Sequence, residues 1–254
     1  MTADTLLTSV IIANYNSGEK LLRTWESLRD QSATFEVLIL DGNSKDGSRE
    51  LAERLREGDA RIRVWSGKDR GVYDAMNKGI AHARGRFLYF MGAGDEVLPG
   101  AFSELAPALA VDRPTLVYGD VLLNGEAFAG RFDLNKICRM NVCHQAVFYH
   151  RRVFELLGTY SLKYRALADW AFNIQCFSDE RIETCYVPVV ICIYEGGGLS
   201  DAGDPAFYKD LNRLILKHGG FVALARNSKH WVFEGARSLF RTGQRIIKKS
   251  ACSK

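Results

Sequence analysis

Residues 86–96 read RFLYFMGAGDE: an apolar, strand-like run from Arg86 to Met91, then Gly94-Asp95-Glu96. The run ends in a carboxylate pair at the mouth of a predicted parallel sheet, and open α/β sheets bind ligands at the carboxyl ends of their strands. The parallel sheet follows from the preceding chain. From residue 7 to about 120, short β-branched or aromatic runs alternate with amphipathic segments, the pattern of βαβ units. Leu7 to Ala13 reads as the first strand, Phe35 to Leu40 as the second, Arg61 to Trp65 as the third and the run at Arg86 as the fourth. Between them, Ser17 caps a predicted helix with the apolar stripe Leu21, Leu22, Trp25 and Leu28. A second helix covers Ser48 to Arg56 and a third Val72 to Arg84. Pro99 suits the first turn of a further helix, and a strand near Thr115 to Asp120 closes this half.

The remainder is less regular. Val142 to Tyr149 and Glu183 to Tyr194 read as strands, and Arg152 to Leu157 and Ala168 to Phe177 as short helices. Asp204-Pro205 starts a helix that Gly219-Gly220 is expected to stop. With 254 residues, 47% of them hydrophobic, the chain can bury one sizeable core. The expectation is one domain over residues 1–220, divided at about residue 120, followed by a tail over 221–254.

The net charge of +4 is unevenly placed: Phe221 to Lys254 holds eight of the 34 Lys and Arg but one acid, Glu234, so the rest is mildly acidic. That body gives no reason to invoke nucleic acid. On a helix from Trp231 to Lys249, Val232, Ala236, Leu239, Phe240, Ile246 and Ile247 share one face and Arg237, Arg241, Arg245 and Lys248 the other. Such a basic amphipathic helix either docks on the domain or lies on an anionic membrane surface. The six cysteines form neither a CxxC pair nor zinc-like spacing with histidine, so reduced thiols and a cytoplasmic setting are expected. No run approaches the roughly 20 apolar residues that cross a bilayer.

Three segments carry more in their order than any does alone: SVIIANYN from Ser9, EVLILDGNS from Glu36 and GVYDAMNKGIAHARGRFLYFMGAGDE from Gly71. Together they resemble a family-2 glycosyltransferase of the GT-A fold, over roughly residues 7 to 200. The resemblance implies a Rossmann-like, mostly parallel sheet flanked by helices, with a less regular acceptor half. It implies transfer of a sugar from a nucleotide diphosphate to a glycan or lipid-linked glycan hydroxyl, with inversion, in bacterial envelope or exopolysaccharide assembly. A divalent ion, Mn²⁺ or Mg²⁺, would bridge the donor's diphosphate.

Residue by residue, the resemblance makes Asp95 the metal ligand, with Gly94 standing where many relatives carry a first acid. Asp41, at the end of the second strand, holds the nucleoside beside Ala13, Asn14 and Tyr15; the residue type alone equally allows a turn-forming Asx role. Tyr15 is the wall for a stacked base. In the loop and helix DRGVYDAMNKG, Asp69 and Arg70 lie toward the donor phosphates, and Asn77 organises the loop by hydrogen bonding. Asp169 is the base that takes the acceptor's proton, unless it caps the following helix. His144, Gln145 and Trp170 belong to the acceptor side, and Glu195 to Ser200 resembles a loop that closes over the donor. Two rival readings remain, an inactive glycan- or partner-binding module and a sugar-phosphate nucleotidyltransferase; Ala13-Asn14-Tyr15-Asn16 lacks the glycine-rich, basic first loop of the latter.

Overall fold

The computed structural model describes residues 6–123, 125–128, 130–194 and 199–227. The four expected runs form β1 (Thr8–Asn14), β2 (Phe35–Asp41), β3 (Ile62–Ser66) and β4 (Phe87–Gly92), all parallel, in the order β3-β2-β1-β4. β2 is buried along its whole length and β1 and β4 along nearly all of theirs, which is why they read as continuous apolar runs. Neighbouring strand residues point to opposite faces. Val10, Ile12, Val37 and Ile39 pack with Leu21, Trp25 and Leu28 of α1 (Lys20–Arg29) and Ala52 of α2 (Ser48–Gly58). Ile11, Leu38, Leu40, Leu88 and Phe90 pack on the other face with Tyr73 and Met76 of α3 (Val72–His82).

α3 carries the chain from the β3 edge back past β2 and β1, so the winding reverses between β1 and β4. A crevice at the carboxyl ends of these two strands is the topological switch point where such sheets take ligands. Register brings the strand ends level: Asn14 lies beside Asp41, Asp41 beside Ser66, and Ala13 beside Gly92.

The second half extends the same sheet. In chain order it consists of β5 (Glu96–Val97), α4 (Ala101–Leu105), β6 (Thr115–Leu123), β7 (Glu126–Phe128), α5 (Leu134–Ile137), β8 (Val147–His150), α6 (Arg151–Leu157), α7 (Ala168–Ser178), β9 (Glu183–Ile193) and α8, residues 205–227. β8 runs antiparallel between β4 and β6, β6 pairs in parallel with β9, and β5 and β7 cap the far edges. β5 is too short to show in the sequence; it exists because Glu96 and Val97 pair with Ile193 and Cys192.

Three local expectations are corrected. Ser17 does not cap α1: its hydroxyl donates to Asn14 Oδ1, and Glu19 occupies the cap position without a side-chain bond. Pro99 lies ahead of the helix, which opens after Gly100 at φ 78°. Gly219-Gly220 does not stop α8: Gly220 takes a left-handed step at φ 75°, and helical residues continue to 227 because Ala223 and Leu224 still pack on the core. Residues 228–254, with most of the predicted basic helix, and residues 195–198 of the glycine-rich loop lie outside the described residues. Among those described, no helix is long and apolar enough to cross a membrane, and Cys138, Cys143, Cys176, Cys185 and Cys192 are free thiols.

Gly85 sets the approach of the turn before β4 to the start of β1. A Cβ there would lie 2.4 Å from the Ser9 backbone nitrogen and 2.6 Å from the Thr8 carbonyl carbon, and Gly85 N donates to Ser9 Oγ at 2.8 Å. Gly85→Ala is expected to destabilise the domain by about 1–3 kcal/mol, the usual range for overpacking, read as a lower urea midpoint at an unchanged slope.

Candidate active site

Most of the residues expected on the donor side meet at the level strand ends. Asp41 is buried and its oxygens are engaged: Oδ1 accepts from Asn14 Nδ2 at 2.8 Å, and Oδ2 from Ser66 Oγ at 2.8 Å and the backbone of Asn43 and Ser44 at 3.1 and 3.2 Å. Burial alone would raise this carboxyl, but the hydrogen bonds from Ser44, Ser66 and Asn14 outweigh it and hold it below the usual range. Its contribution to stability is therefore present at neutral pH and lost as the pH falls through that lowered value. Asp41 is thus the Asx-type organiser of the loop, which the residue type had allowed.

Tyr15 is 68% exposed, the most open aromatic ring at this edge. Gly42 underlies it: a Cβ there would meet Tyr15 Cδ2 at 3.1 Å and Asp69 Oδ2 at 3.2 Å, so glycine lets Tyr15 and Asp69 close into one corner. Asp69 is paired with Lys78. Arg70 bonds Asp74 through its guanidinium at 3.0 Å and its backbone nitrogen at 3.1 Å while most of its side chain stays exposed. Burial acts to raise the Asp74 carboxyl, but these bonds and Lys78 hold it low. Asn77 is not brought to the site: its amide bonds the Tyr160 backbone in both directions, at 2.9 and 3.0 Å, and so ties α3 to the loop ahead of α7.

A cleft of about 390 Å³ opens beside β4, with Asp95, Gln145, His144, Asn141, Asp169 and Tyr73 among its lining. Asp95 is buried; its Oδ2 accepts from Gly92 N and Gln145 Nε2, each at 2.9 Å. Gly94, at φ 117°, shapes the turn, a conformation that disfavours an acid at that position. Glu96 is drawn away into β5 and faces Arg23 at 3.7 Å.

Asp169 lies in the first turn of α7, where the helix dipole favours a carboxylate. It is not the cap, which is Leu167. Oδ2 accepts from Asn141 Nδ2 at 2.6 Å, with His144 Nδ1 at 3.9 Å. The Tyr73 hydroxyl lies 2.6 Å from Oδ1 and 2.9 Å from the Ala166 carbonyl; its single proton serves the closer, charged acceptor. Burial, reinforced by that carboxylate, keeps the Tyr73 phenol protonated far above its ordinary range. Behind Asn141, Asn173 and the Tyr149 hydroxyl continue the chain at 3.0 and 2.7 Å.

The segment Asn141–Gln145 therefore holds Asp169 at one end and Asp95 at the other. Gln145 and His144 line the cleft. Trp170 does not: it is buried, donates to the Ile137 carbonyl at 2.6 Å and packs on Phe207, away from the cleft. The sequence reading missed Tyr73, Asn141 and Asp204. Tyr73 sits inside the quoted α3 stretch, one residue before Asp74, whereas Asn141 carries no local signal and Asp204 was legible only as the start of a helix. Asp204 is buried and accepts from the backbone of Ala166 at 2.9 Å and Leu167 at 3.4 Å, pinning the approach to α7.

Comparison with known proteins bears on the family and the fold. The family model described as glycosyl transferase family 2 matches residues 9–166. A PGL/p-HBAD biosynthesis glycosyltransferase of Mycobacterium bovis is 39% identical over 212 residues, covering 80% of this chain and 83% of the relative. An uncharacterized glycosyltransferase of Mycobacterium tuberculosis is 28% identical over 240 residues, covering 89% and 90%. Among solved structures, S. aureus TarS 1-349 in complex with UDP-GlcNAc superposes with a TM-score of 0.73 at 17% identity, covering 89% of this chain and 73% of that one. A mannosyltransferase from Pyrobaculum calidifontis in complex with GDP-Man and Mn²⁺ gives 0.59 at 18% identity, covering 94% and 79%. With its GT-A type sheet, the chain belongs to glycosyltransferase family 2 and is a glycosyltransferase.

Proposed function

We propose that the chain moves a sugar from a nucleotide-diphosphate donor to a hydroxyl of a glycan or lipid-linked glycan, with inversion and with Mn²⁺ or Mg²⁺ on the donor diphosphate. The observation that carries this reading is the pair of buried carboxylates, Asp95 and Asp169, lining one cleft and held by opposite ends of one five-residue segment. The relatives named for PGL/p-HBAD biosynthesis favour an envelope glycolipid as the product.

The donor's base stacks on the exposed Tyr15 ring, and its nucleoside lies over the loop that Asp41 organises, beside Ala13, Asn14 and Asp69. Arg70 reaches the diphosphate. Asp95 Oδ1 has no hydrogen-bond partner among the described residues, and no group of three acidic, histidine or cysteine side chains lies close enough to enclose an ion by itself. The remaining Asp95 oxygen is the group that would hold a divalent ion, with the donor itself supplying oxygens. When bound, such an ion offsets the negative charge growing on the departing diphosphate.

Asp169 receives the proton of the acceptor hydroxyl. The freed oxygen forms its bond to the anomeric carbon as the bond to the diphosphate oxygen breaks on the opposite face. Tyr73 and Asn141 bond one oxygen each and so fix the orientation of the carboxylate toward the cleft.

A scan of melting temperature against UDP, GDP, TDP and CMP, each with and without Mn²⁺, is expected to show a metal-dependent rise with one diphosphate, absent in Asp95→Ala. No rise with any nucleotide would sink the reading. Asp169→Asn should keep that rise and lose about 100- to 10,000-fold in kcat, the span of general-base effects. In Tyr73→Phe, kcat should drop about tenfold with donor KM unchanged, the loss of one hydrogen bond to a charged group.

Membrane contact through the tail is a further part of the proposal, supported by exposed Phe221 (76%) and Val222 (62%) on α8 just before it. The full chain should sediment with anionic vesicles and a chain truncated after residue 227 should not; equal partitioning would remove this part alone.

A further inference from the structure

Besides the polar group Asp95, Gln145, His144, Asn141, Asp169 and Tyr73, the cleft is lined by Val121, Leu123, Phe128, Tyr194 and Leu199. This apolar wall comes from the β6–β7 hairpin and the residues that follow β9. Val121 pairs directly with Phe128, and side chains of directly paired residues share a face. Leu123 follows Val121 at the two-residue period of a strand, so it joins them on that face. Tyr194 N bonds the Leu122 carbonyl at 3.0 Å, which anchors the next piece of the wall to the same hairpin.

The hairpin departs from the pattern of the rest of the sheet. Nucleotide-binding strands β1, β2 and β4 bury their apolar residues between helices. Leu123 and Phe128 are only partly buried, and Leu199 is 53% exposed at the cleft. A glycan offers such a wall only the C–H faces of its rings, whereas an apolar group beside the reacting hydroxyl gains about 25 cal/mol for each Å² it removes from water.

We infer that this wall is an acceptor subsite for an apolar aglycone, an aromatic or alkyl group attached close to the hydroxyl that receives the sugar. The occupant is set by continuity: the wall belongs to the same cleft as Asp169, the proton acceptor, and stands apart from the Tyr15–Asp41 edge that takes the nucleotide. The inference rests on the glycosyltransferase reading of this cleft and adds the chemistry of the acceptor to it. The phosphate and ribose of the donor have no apolar surface to match it, so the acceptor is the reactant that fits.

The test uses the full chain saturated with the nucleoside diphosphate and Mn²⁺ that the melting scan selects. Methyl, phenyl and octyl β-D-glucosides, and the matching mannosides and galactosides, are compared by binding titration and as acceptors by diphosphate release. Phenyl or octyl glycosides should bind at least tenfold more tightly than methyl glycosides of the same sugar, with a matching gain in kcat/KM wherever transfer occurs. Leu123→Asn and Phe128→Ser should each shrink that preference to within about threefold, with nucleotide affinity retained as the sign of an intact sheet. Equal binding of methyl, phenyl and octyl glycosides would overturn the inference. So would variants that weaken all glycosides alike, because the wall would then pack on the sugar ring itself. Failure of the glycosyltransferase reading shows separately, as the absence of any nucleotide binding in the scan.

Discussion

Two carboxylates, Asp95 and Asp169, are buried in one cleft, and the rest of the site is arranged to give them partners. Burying a carboxylate without partners costs far more than a domain can spare. Asp95 and Asp169 are held by neutral donors instead of by cations: the Gly92 amide and Gln145 for one, Tyr73 and Asn141 for the other. These bonds satisfy one or both oxygens of each carboxylate and fix its position in the cleft.

That solution dictates much of the packing. Asn141 and Gln145 can serve both carboxylates only if their segment crosses the cleft floor, and the single 3-10 turn His144–Ala146 leading into β8 makes it do so. β8 is placed antiparallel between β4 and β6, which joins the first half of the chain to the second in one sheet. α7 is held at its start by Asp204 and along its length by the aromatic cluster of Phe154, Tyr160 and Phe172. Phe172 stacks on Phe154 at 4.9 Å, so Asp169 rides on a helix with little freedom to shift. The outer acidic pairs, such as Asp69 with Lys78, are more open to water and contribute correspondingly less.

The site also divides by how its residues can be found. Asp95 and Tyr15 stand at strand ends inside recognisable runs, and they lie in the structure where those runs predict. Asp41 was legible in place but ambiguous in role, because the side chain that could touch a ligand is the one that closes its own loop with Ser44 and Ser66. Trp170 shows the opposite case, an aromatic residue next to a motif whose side chain turns inward, while Asn77 does organise a loop by hydrogen bonding, but the one at Tyr160. Trp170 follows Asp169 by one residue, and on a helix that sends it about 100° away, into the core against Phe207.

By itself, the sequence determined the parallel βαβ half, its strand ends and the order of its motifs, because alternation of apolar runs with amphipathic helices is a local property of the chain. It also determined that Asp95 follows β4 and Asp169 opens a helix. Only the tertiary structure decided which residues meet there. The pairing of β5 with β9, the reach of Tyr73 to Asp169 across 96 positions, the bridge Asn141–Gln145 and the apolar wall of the β6–β7 hairpin join residues far apart in the chain. Their contacts depend on sheet register and helix rotation, and no periodicity in a single sequence records which distant side chains those bring together.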